Sequence, residues 1–188
     1  LPRLAKKEGK AEKVHEITKK GMKGEITWED GLKKRIEMLE GTDYEIAQEV
    51  SDNLPYMKGA KEFCKELKKR GYTLIGVTGG FTIFSARIKE ELGLDCMISN
   101  ELDFAGGELC GLDELNVGSE CIDNLEKVLK EAGSDEKQVI SIADGANNLK
   151  LYEQADKKIA FNAQPIIKRN ADVVVKTKDL RDALKHFP

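Results

Sequence analysis

The chain has 188 residues, of which 35% are charged and 40% hydrophobic, and its net charge at pH 7 is −3. This length suits one α/β domain, or a core domain with a small insert. The charge balance favours neither nucleic acid nor an anionic membrane as a partner, and no apolar run approaches the roughly 20 residues of a membrane helix. The four cysteines have no CxxC spacing, which indicates reduced thiols in a cytoplasmic protein rather than a disulfide or zinc framework.

The first 54 residues show helical periodicity and no strand pattern. Apolar residues recur at helical spacing over residues 1–21, and Thr27 is placed to cap a second helix. Thr42 is expected to cap a third helix, over residues 43–52. Residues 1–54 are therefore predicted to form a small helical segment that stands apart from the rest of the chain.

Strand and helix patterns alternate over residues 55–188. The predicted strands are short apolar runs at residues 72–77, 96–99, 101–104, 108–112, 138–142, 158–161 and 172–175. The predicted helices cover residues 59–70, 81–92 and 119–132, a segment after 145, and residues 179–185. This alternation predicts an α/β core with a parallel sheet and right-handed crossovers, with one hairpin around Gly106 and Gly107.

One strand end has the composition of an anion site. The apolar run of residues 74–77 stops on Thr78, Gly79 and Gly80, and a helix pattern begins at Phe81. Loops at the carboxyl ends of parallel strands are where α/β proteins bind ligands. Glycines let backbone N–H groups approach an anion, the helix start adds a favourable dipole, and Thr78 adds a hydroxyl. The same pattern is also typical of a tight connection without function.

A second strand end carries a carboxylate. Asp144 follows the strand predicted at residues 138–142 and precedes Gly145. A carboxylate there is a natural ligand of a hard cation, because Mg²⁺ bound with a substrate phosphate usually needs only one or two such groups. A helix cap for the following segment explains Asp144 equally well.

Three sequence runs together carry a resemblance to a known family. They are VTGGF at residues 77–81, ADGANN at 143–148 and AFNAQP at 160–165. With them, nearly the whole chain resembles the phosphoserine phosphatase branch of the haloacid dehalogenase (HAD) superfamily, and residues 21–39 are similar to that family's cap. The resemblance implies a HAD-like Rossmannoid parallel sheet with helices on both faces, and a small helical cap at residues 1–54.

The resemblance also implies a mechanism and a set of site residues. The first aspartate of a D-x-D-x-T/S motif attacks phosphorus, the second acts as general acid and base, and Mg²⁺ binds between that motif and a late aspartate pair. By this resemblance Thr78, Gly79 and Gly80 hold the phosphate, and Arg35 grips the substrate carboxylate. Asn147 lies beside the phosphate, and Asp144 supplies the first carboxylate of the metal pair.

The sequence departs from the family pattern at three places. The D-x-D-x-T/S motif is absent from the printed chain, and since Leu1 already belongs to a helical pattern, we expect residues ahead of it. The lysine of the family falls on Cys121, which removes a positive charge facing the phosphate. The second aspartate of the metal pair falls on Asn148, and changes of this kind lower metal affinity or activity by about 10–100-fold.

These departures lead to three hypotheses. The one we favour is a catalytically impaired protein that keeps a pocket for phosphate or phosphoserine, binds Mg²⁺ weakly or not at all, and serves a small phosphorylated molecule or a protein partner. The alternative is an active Mg²⁺-dependent phosphomonoesterase of serine biosynthesis whose nucleophile lies upstream of Leu1. The third is a structural subunit whose pocket has no role.

The resemblance also implies a gap in the sheet. The first strand of the family lies between the strands predicted here at residues 72–77 and 138–142. We therefore expect these two strands not to pair with each other, and we expect a preceding segment or a partner chain to lie between them.

Overall fold

The computed structural model describes residues 1–135 and 137–188, except for the side chains of Met22 and Asn147. The described residues form two compact units. The first unit comprises Leu1–Leu54, Thr78–Arg87 and Ser99–Gly118, and the second comprises Pro55–Val77, Ile88–Ile98 and Ser119–Pro188. The division into a cap at 1–54 and a core at 55–188 stays a prediction, since two later segments also belong to the first unit.

Four helices precede residue 54, where the periodicity predicted three helical segments, because the first predicted segment is divided between Lys7 and Ala11. They are α1 Pro2–Lys7, α2 Ala11–Met22, α3 Trp28–Glu37 and α4 Tyr44–Asp52. Thr27 caps α3, because its hydroxyl accepts a hydrogen bond from the backbone N–H of Asp30 over 3.0 Å. The predicted cap at Thr42 is wrong. Its buried hydroxyl instead donates to the carbonyl of Leu39 over 2.6 Å and so closes the turn after α3.

In the described part of the chain, six strands form two three-stranded sheets, which confirms the α/β class. One sheet has the order β1–β2–β3, with β1 Ile75–Phe81, β2 Cys96–Ala105 and β3 Glu108–Glu114. The other has the order β4–β5–β6 and is parallel, with β4 Ile140–Ala143, β5 Lys157–Phe161 and β6 Val173–Val175. The hairpin is confirmed, because β2 and β3 are antiparallel and positive φ angles at Gly106 and Gly107 suit the two-residue turn between them.

The later helices are α5 Ala60–Lys69, α6 Thr82–Leu92, α7 Leu125–Glu131, α8 Leu149–Glu153 and α9 Pro165–Arg169. A 3₁₀ turn covers Ala146–Asn148, and a 3₁₀ segment covers Leu180–His186. The helix predicted from residue 119 begins only at Leu125, because Asn124 has a left-handed φ of 60° that a helix cannot contain. None of these helices is long and apolar enough to cross a membrane within the part of the chain that is described.

The second unit contains a core and, beside it, a cavity of about 720 Å³. In the core, Phe63 and Phe187 meet edge to face with their ring centroids 5.4 Å apart. Side chains of both β1 and β4 line the cavity, among them Ile75, Val77, Ile140 and Ile142. These strands belong to different sheets, so the prediction that they do not pair directly is confirmed. What lies between them stays a prediction.

Candidate functional site

In the first unit, Thr78, Gly79 and Gly80 belong to β1, which continues to Phe81. The sequence had predicted a turn here and a helix start at Phe81. Instead Phe81 is a strand residue, 2% exposed, and it packs in a cluster with Leu32 and Ile36. The predicted anion segment is therefore the end of a strand that runs directly into α6, and its last residue is held in place by an apolar core.

The hydroxyl of Thr78 and the backbone amide of Gly80 are hydrogen-bonded to each other. The backbone N–H of Gly80 donates to Oγ1 of Thr78 over 3.0 Å. A Cβ atom at Gly80 would lie 3.1 Å from the same oxygen, which is closer than most side chains tolerate. Thr78 keeps its own O–H, which donates to no other residue of the described chain. A hydroxyl and a backbone N–H thus lie side by side at this strand end, and both are donor types that anion sites use.

A buried polar cluster on β2 supports this segment, and the sequence analysis did not find it. Nδ2 of Asn100 donates to the carbonyl of Gly79 over 3.2 Å. Oγ1 of Thr82, the first residue of α6, lies 3.0 Å from Oγ of Ser99. Ser99 is 8% exposed and Asn100 is fully buried. The signal that could have revealed them is a polar Ser-Asn pair directly after the apolar residues of a predicted strand.

Arg35 also lies in the first unit, on α3. Its Nε donates to the carbonyl of Gly31 over 2.8 Å, and no carboxylate of the described residues forms an ion pair with it. Partial burial lowers the pKa of the guanidinium from its ordinary value. Arg35 is therefore a cation whose charge no described acidic side chain balances.

In the second unit, the loop after β4 carries Asp144 with its carboxylate exposed. The carbonyl of Asp144 accepts a hydrogen bond from the backbone N–H of Gln164 over 2.7 Å. Oε1 of Gln164 in turn accepts from the N–H of Ala146 over 3.2 Å, and Oδ1 of Asn148 accepts from the N–H of Gly145 over 3.3 Å. Two side chains thus fix this loop, and Gln164 was not predicted to do so. The side chain of Asn147 lies outside the described residues.

Two side chains in this loop offer oxygen ligands that fit part of a Mg²⁺ site. Asp144 offers a carboxylate and Asn148 an amide oxygen, which are ligand types that Mg²⁺ accepts. Within the described residues there is no group of three or more His, Cys, Asp or Glu side chains that could hold a metal ion. Because Mg²⁺ in phosphoryl-transfer sites takes only one or two protein carboxylates and fills its sphere with water and phosphate, the loop would contribute ligands without forming a complete site.

Cys121 lies in the second unit, exposed and ahead of α7. It does not belong to the helix in which the sequence analysis placed it. Lys127 is on α7 itself. The position where the resemblance implies a lysine therefore carries a thiol on a segment that is not helical.

The chain is similar to known proteins over its whole length. A family model for haloacid dehalogenase-like hydrolases matches residues 2–156. The phosphoserine phosphatase of Methanocaldococcus jannaschii is 37% identical over 189 residues, with 100% of this chain and 90% of the relative covered. The phosphoserine phosphatase of Wolinella succinogenes is 34% identical, with 98% of this chain and 90% of the relative covered.

Solved structures agree with this similarity. A phosphoserine phosphatase with a phospho-aspartyl intermediate analogue has a TM-score of 0.86 at 36% identity, with 100% of this chain and 90% of that chain covered. A substrate-bound phosphoserine phosphatase complex has a TM-score of 0.87 at 36% identity and the same coverage. The sequence and structure similarities therefore lead to the same family of proteins.

Proposed function

The chain belongs to the haloacid dehalogenase-like hydrolase family, and from this premise we propose that it is a Mg²⁺-dependent phosphomonoesterase acting on a small phosphorylated molecule such as phosphoserine. One observation carries the proposal. The hydroxyl of Thr78 and the N–H of Gly80 meet 3.0 Å apart in a chain that is similar to phosphoserine phosphatases over its full length. That similarity favours an active enzyme over the impaired one that the sequence departures suggested.

In the first unit, the proposal assigns phosphate binding to Thr78 and Gly80 and carboxylate binding to Arg35. The O–H of Thr78 and the N–H of Gly80 donate to phosphate oxygens, and each such charge-assisted bond contributes about 1.5–3 kcal/mol. The guanidinium of Arg35 suits the carboxylate of an amino acid, because its planar fork matches two carboxylate oxygens. A substrate with both groups, such as phosphoserine, uses all three donors.

In the second unit, the proposal assigns Asp144 and Asn148 as oxygen ligands of Mg²⁺, which when bound neutralises phosphate charge. The nucleophile and the general acid are the two aspartates of the D-x-D-x-T/S motif, which the proposal places ahead of Leu1. The nucleophile's carboxylate oxygen forms a bond to phosphorus while the bond to the serine oxygen breaks, and the second aspartate protonates that oxygen. Water then hydrolyses the aspartyl-phosphate.

A second candidate function is phosphate or phosphoserine binding without turnover, for a regulatory role toward a small molecule or a protein partner. The observation that favours it is chemical. Cys121 and Asn148 stand where the resemblance implies a lysine and an aspartate. Both changes remove charges that stabilise a phosphoryl-transfer transition state, and neither requires the fold or the Thr78 segment to change.

Phosphate release from phosphoserine by the full-length protein, with the residues ahead of Leu1 included, tests the proposal when it is measured with malachite green with and without Mg²⁺. We expect Mg²⁺-dependent release that falls about 100-fold in Thr78→Ala, the loss typical of one transition-state donor. Thr177→Ala, which removes an exposed threonine hydroxyl bonded to the carbonyl of Asp179, should match the wild type. Background release together with calorimetric binding of phosphoserine supports the second candidate. Absence of both release and binding contradicts both functions.

A further inference from the structure

The side chain of Asn100 is fully buried in the first unit and makes three hydrogen bonds. Its Nδ2 donates to the carbonyls of Gly79 and Val117, each over 3.2 Å, and its Oδ1 accepts from the N–H of Val117 over 2.7 Å. The partners fix the orientation of the amide, because two carbonyls require the NH₂ group and a backbone N–H requires the oxygen. Turning the amide over would break all three bonds.

The bond to Gly79 determines where the next N–H points. The carbonyl of Gly79 and the N–H of Gly80 belong to one planar trans peptide unit, so they point in opposite directions. When Asn100 holds the carbonyl on one side of β1, the N–H of Gly80 must face the other side. There it meets Oγ1 of Thr78. The direction of the proposed phosphate donor is thus coupled to a side chain on the neighbouring strand.

The residue beside Asn100 holds the start of α6 in the same way. Oγ of Ser99 lies 3.0 Å from Oγ1 of Thr82 and accepts a hydrogen bond from Oγ of Ser85, also over 3.0 Å. The hydroxyl of Thr82 also donates to the carbonyl of Asn100 over 3.2 Å. Two adjacent β2 residues therefore fix both the last residues of β1 and the first turn of α6. This leaves the peptide between Gly79 and Gly80 little freedom to rotate.

We propose that Asn100 is a positioning residue for phosphate, which aims the N–H of Gly80 by holding the carbonyl of Gly79. The inference rests on the proposed function, because it deepens the role assigned to Thr78 and Gly80. Asn100 itself touches no substrate. Its contribution is to keep a flexible glycine peptide in the orientation that binds an anion, so that binding does not have to order it.

The test compares Asn100→Ala with Asn116→Ala, using inorganic phosphate as the ligand and calorimetry for the dissociation constant. Asn116 is a matched control, because its Nδ2 donates to the carbonyl of Ser99 and to Oε2 of Glu114 but not to β1. Loss of one hydrogen-bonded group costs about tenfold in affinity, so we expect Kd to rise about tenfold in Asn100→Ala and less than about twofold in the control. Equal effects in the two variants overturn the inference.

A double-mutant cycle with Thr78→Ala separates positioning from general support of the fold. If Asn100 acts through the segment, Asn100→Ala should weaken phosphate binding much less in the Thr78→Ala background than in the wild type. A purely structural role predicts additive effects, and additivity overturns the inference. Where Asn100→Ala does not fold, Asn100→Ser, which keeps one hydroxyl donor near Gly79, takes its place in the cycle.

Amide hydrogen exchange gives a measurement that does not need the ligand. Exchange of the Gly80 N–H should accelerate in Asn100→Ala and remain at the wild-type rate in Asn116→Ala.

If wild type binds no phosphate, the proposed function fails and the comparison of exchange rates alone decides the positioning role. If no Asn100 variant folds, phosphate titration of wild type by NMR decides it. The side-chain amide of Asn100 should then shift together with the N–H of Gly80, and a stationary Asn100 signal overturns the inference.

Discussion

Oγ1 of Thr78 accepts the N–H of Gly80 over 3.0 Å, so two groups that suit a phosphate oxygen are bonded to each other in the free protein. An arriving anion replaces this neutral hydrogen bond with charge-assisted ones, which are roughly twice as strong. The two groups already lie side by side before binding. Little side-chain ordering therefore remains for binding to accomplish.

The first prediction concerns the space at Gly80. A Cβ atom there would lie 3.1 Å from Oγ1 of Thr78, so Gly80→Ala should displace the hydroxyl by a few tenths of an ångström. We expect phosphate affinity to fall about three- to tenfold, comparable to weakening one hydrogen bond. Gly111→Ala is the control, because nothing lies within 4 Å of its Cβ position. Equal phosphate affinity in the two variants would contradict the prediction.

A second prediction concerns stability in the second unit. Gly59 has a φ of +78°, and a Cβ atom there would lie 2.4 Å from Oδ1 of Asp179 and 2.7 Å from Cγ of Arg181. Gly71 has a similar φ of +83° with nothing within 4 Å. Both Gly→Ala variants carry the backbone strain of about 1–2 kcal/mol, and only Gly59→Ala adds a steric clash. Urea unfolding should show Gly59→Ala to be the less stable, and equal unfolding free energies would refute this.

The ion pair of Asp179 and Arg181 predicts a pH dependence. Nη2 of Arg181 lies 2.6 Å from Oδ2 of Asp179, and this side-chain hydrogen bond holds the pKa of the carboxyl well below its ordinary value of 3.8. A lowered folded-state pKa contributes stability above the unfolded-state value, and this stability is lost as the pH falls through the folded-state pKa. Asp179→Asn should therefore flatten the acid limb of unfolding free energy against pH below about pH 4. Asp182→Asn, which removes an exposed neighbouring carboxylate, is the control, and an equal effect of the two variants would contradict the prediction.

The helices and most strands could be predicted because their signals are local. Apolar spacing defined α1 to α4, and short apolar runs defined β4 to β6. The errors occurred where conformation depends on one backbone angle or one side-chain bond. Asn124 adopts a left-handed φ that its sequence does not reveal, and Thr42 bonds backward to Leu39 rather than forward into α4.

In the site, too, the residues with a local sequence signal were predicted, and the residue whose contacts are distant in sequence was not. Thr78, Gly79 and Gly80 were found from their composition at a strand end. Asn100 was missed because its partners Gly79 and Val117 lie 21 and 17 residues away in sequence. Only the pairing of strands brings these groups together, and no periodicity in a single sequence records which carbonyl an asparagine will bind.

The gap beside β4 gives a fourth prediction. Among the described residues, β4 pairs with β5 alone, and Ile142 lines the cavity of about 720 Å³. We expect a preceding segment or a partner chain to fill this gap, because unpaired apolar strand edges promote association. The 188-residue chain alone should then bind the dye ANS and self-associate in sedimentation experiments. Ile142→Lys should reduce both effects, and Tyr44→Lys, at an exposed aromatic of the first unit, should not. A monomer that binds no ANS would rule the expectation out.

The final prediction restores the two charges that the resemblance implies. In Cys121→Lys a cation returns to an exposed position ahead of α7, and in Asn148→Asp a carboxylate returns to the loop of Asp144. The second change should preserve the loop, because a carboxylate oxygen can still accept the N–H of Gly145 as Oδ1 of Asn148 does now.

With both charges restored, we expect phosphate to bind about ten- to a hundredfold more tightly in the presence of Mg²⁺, the range expected for one charge-assisted bond. If the two aspartates of the D-x-D-x-T/S motif are present ahead of Leu1, phosphoserine turnover should rise as well. Lys127→Met is the control, because it removes a cation from α7 without touching either position. A double variant that folds normally while neither phosphate affinity nor turnover changes would mean that Cys121 and Asn148 do not occupy the catalytic positions.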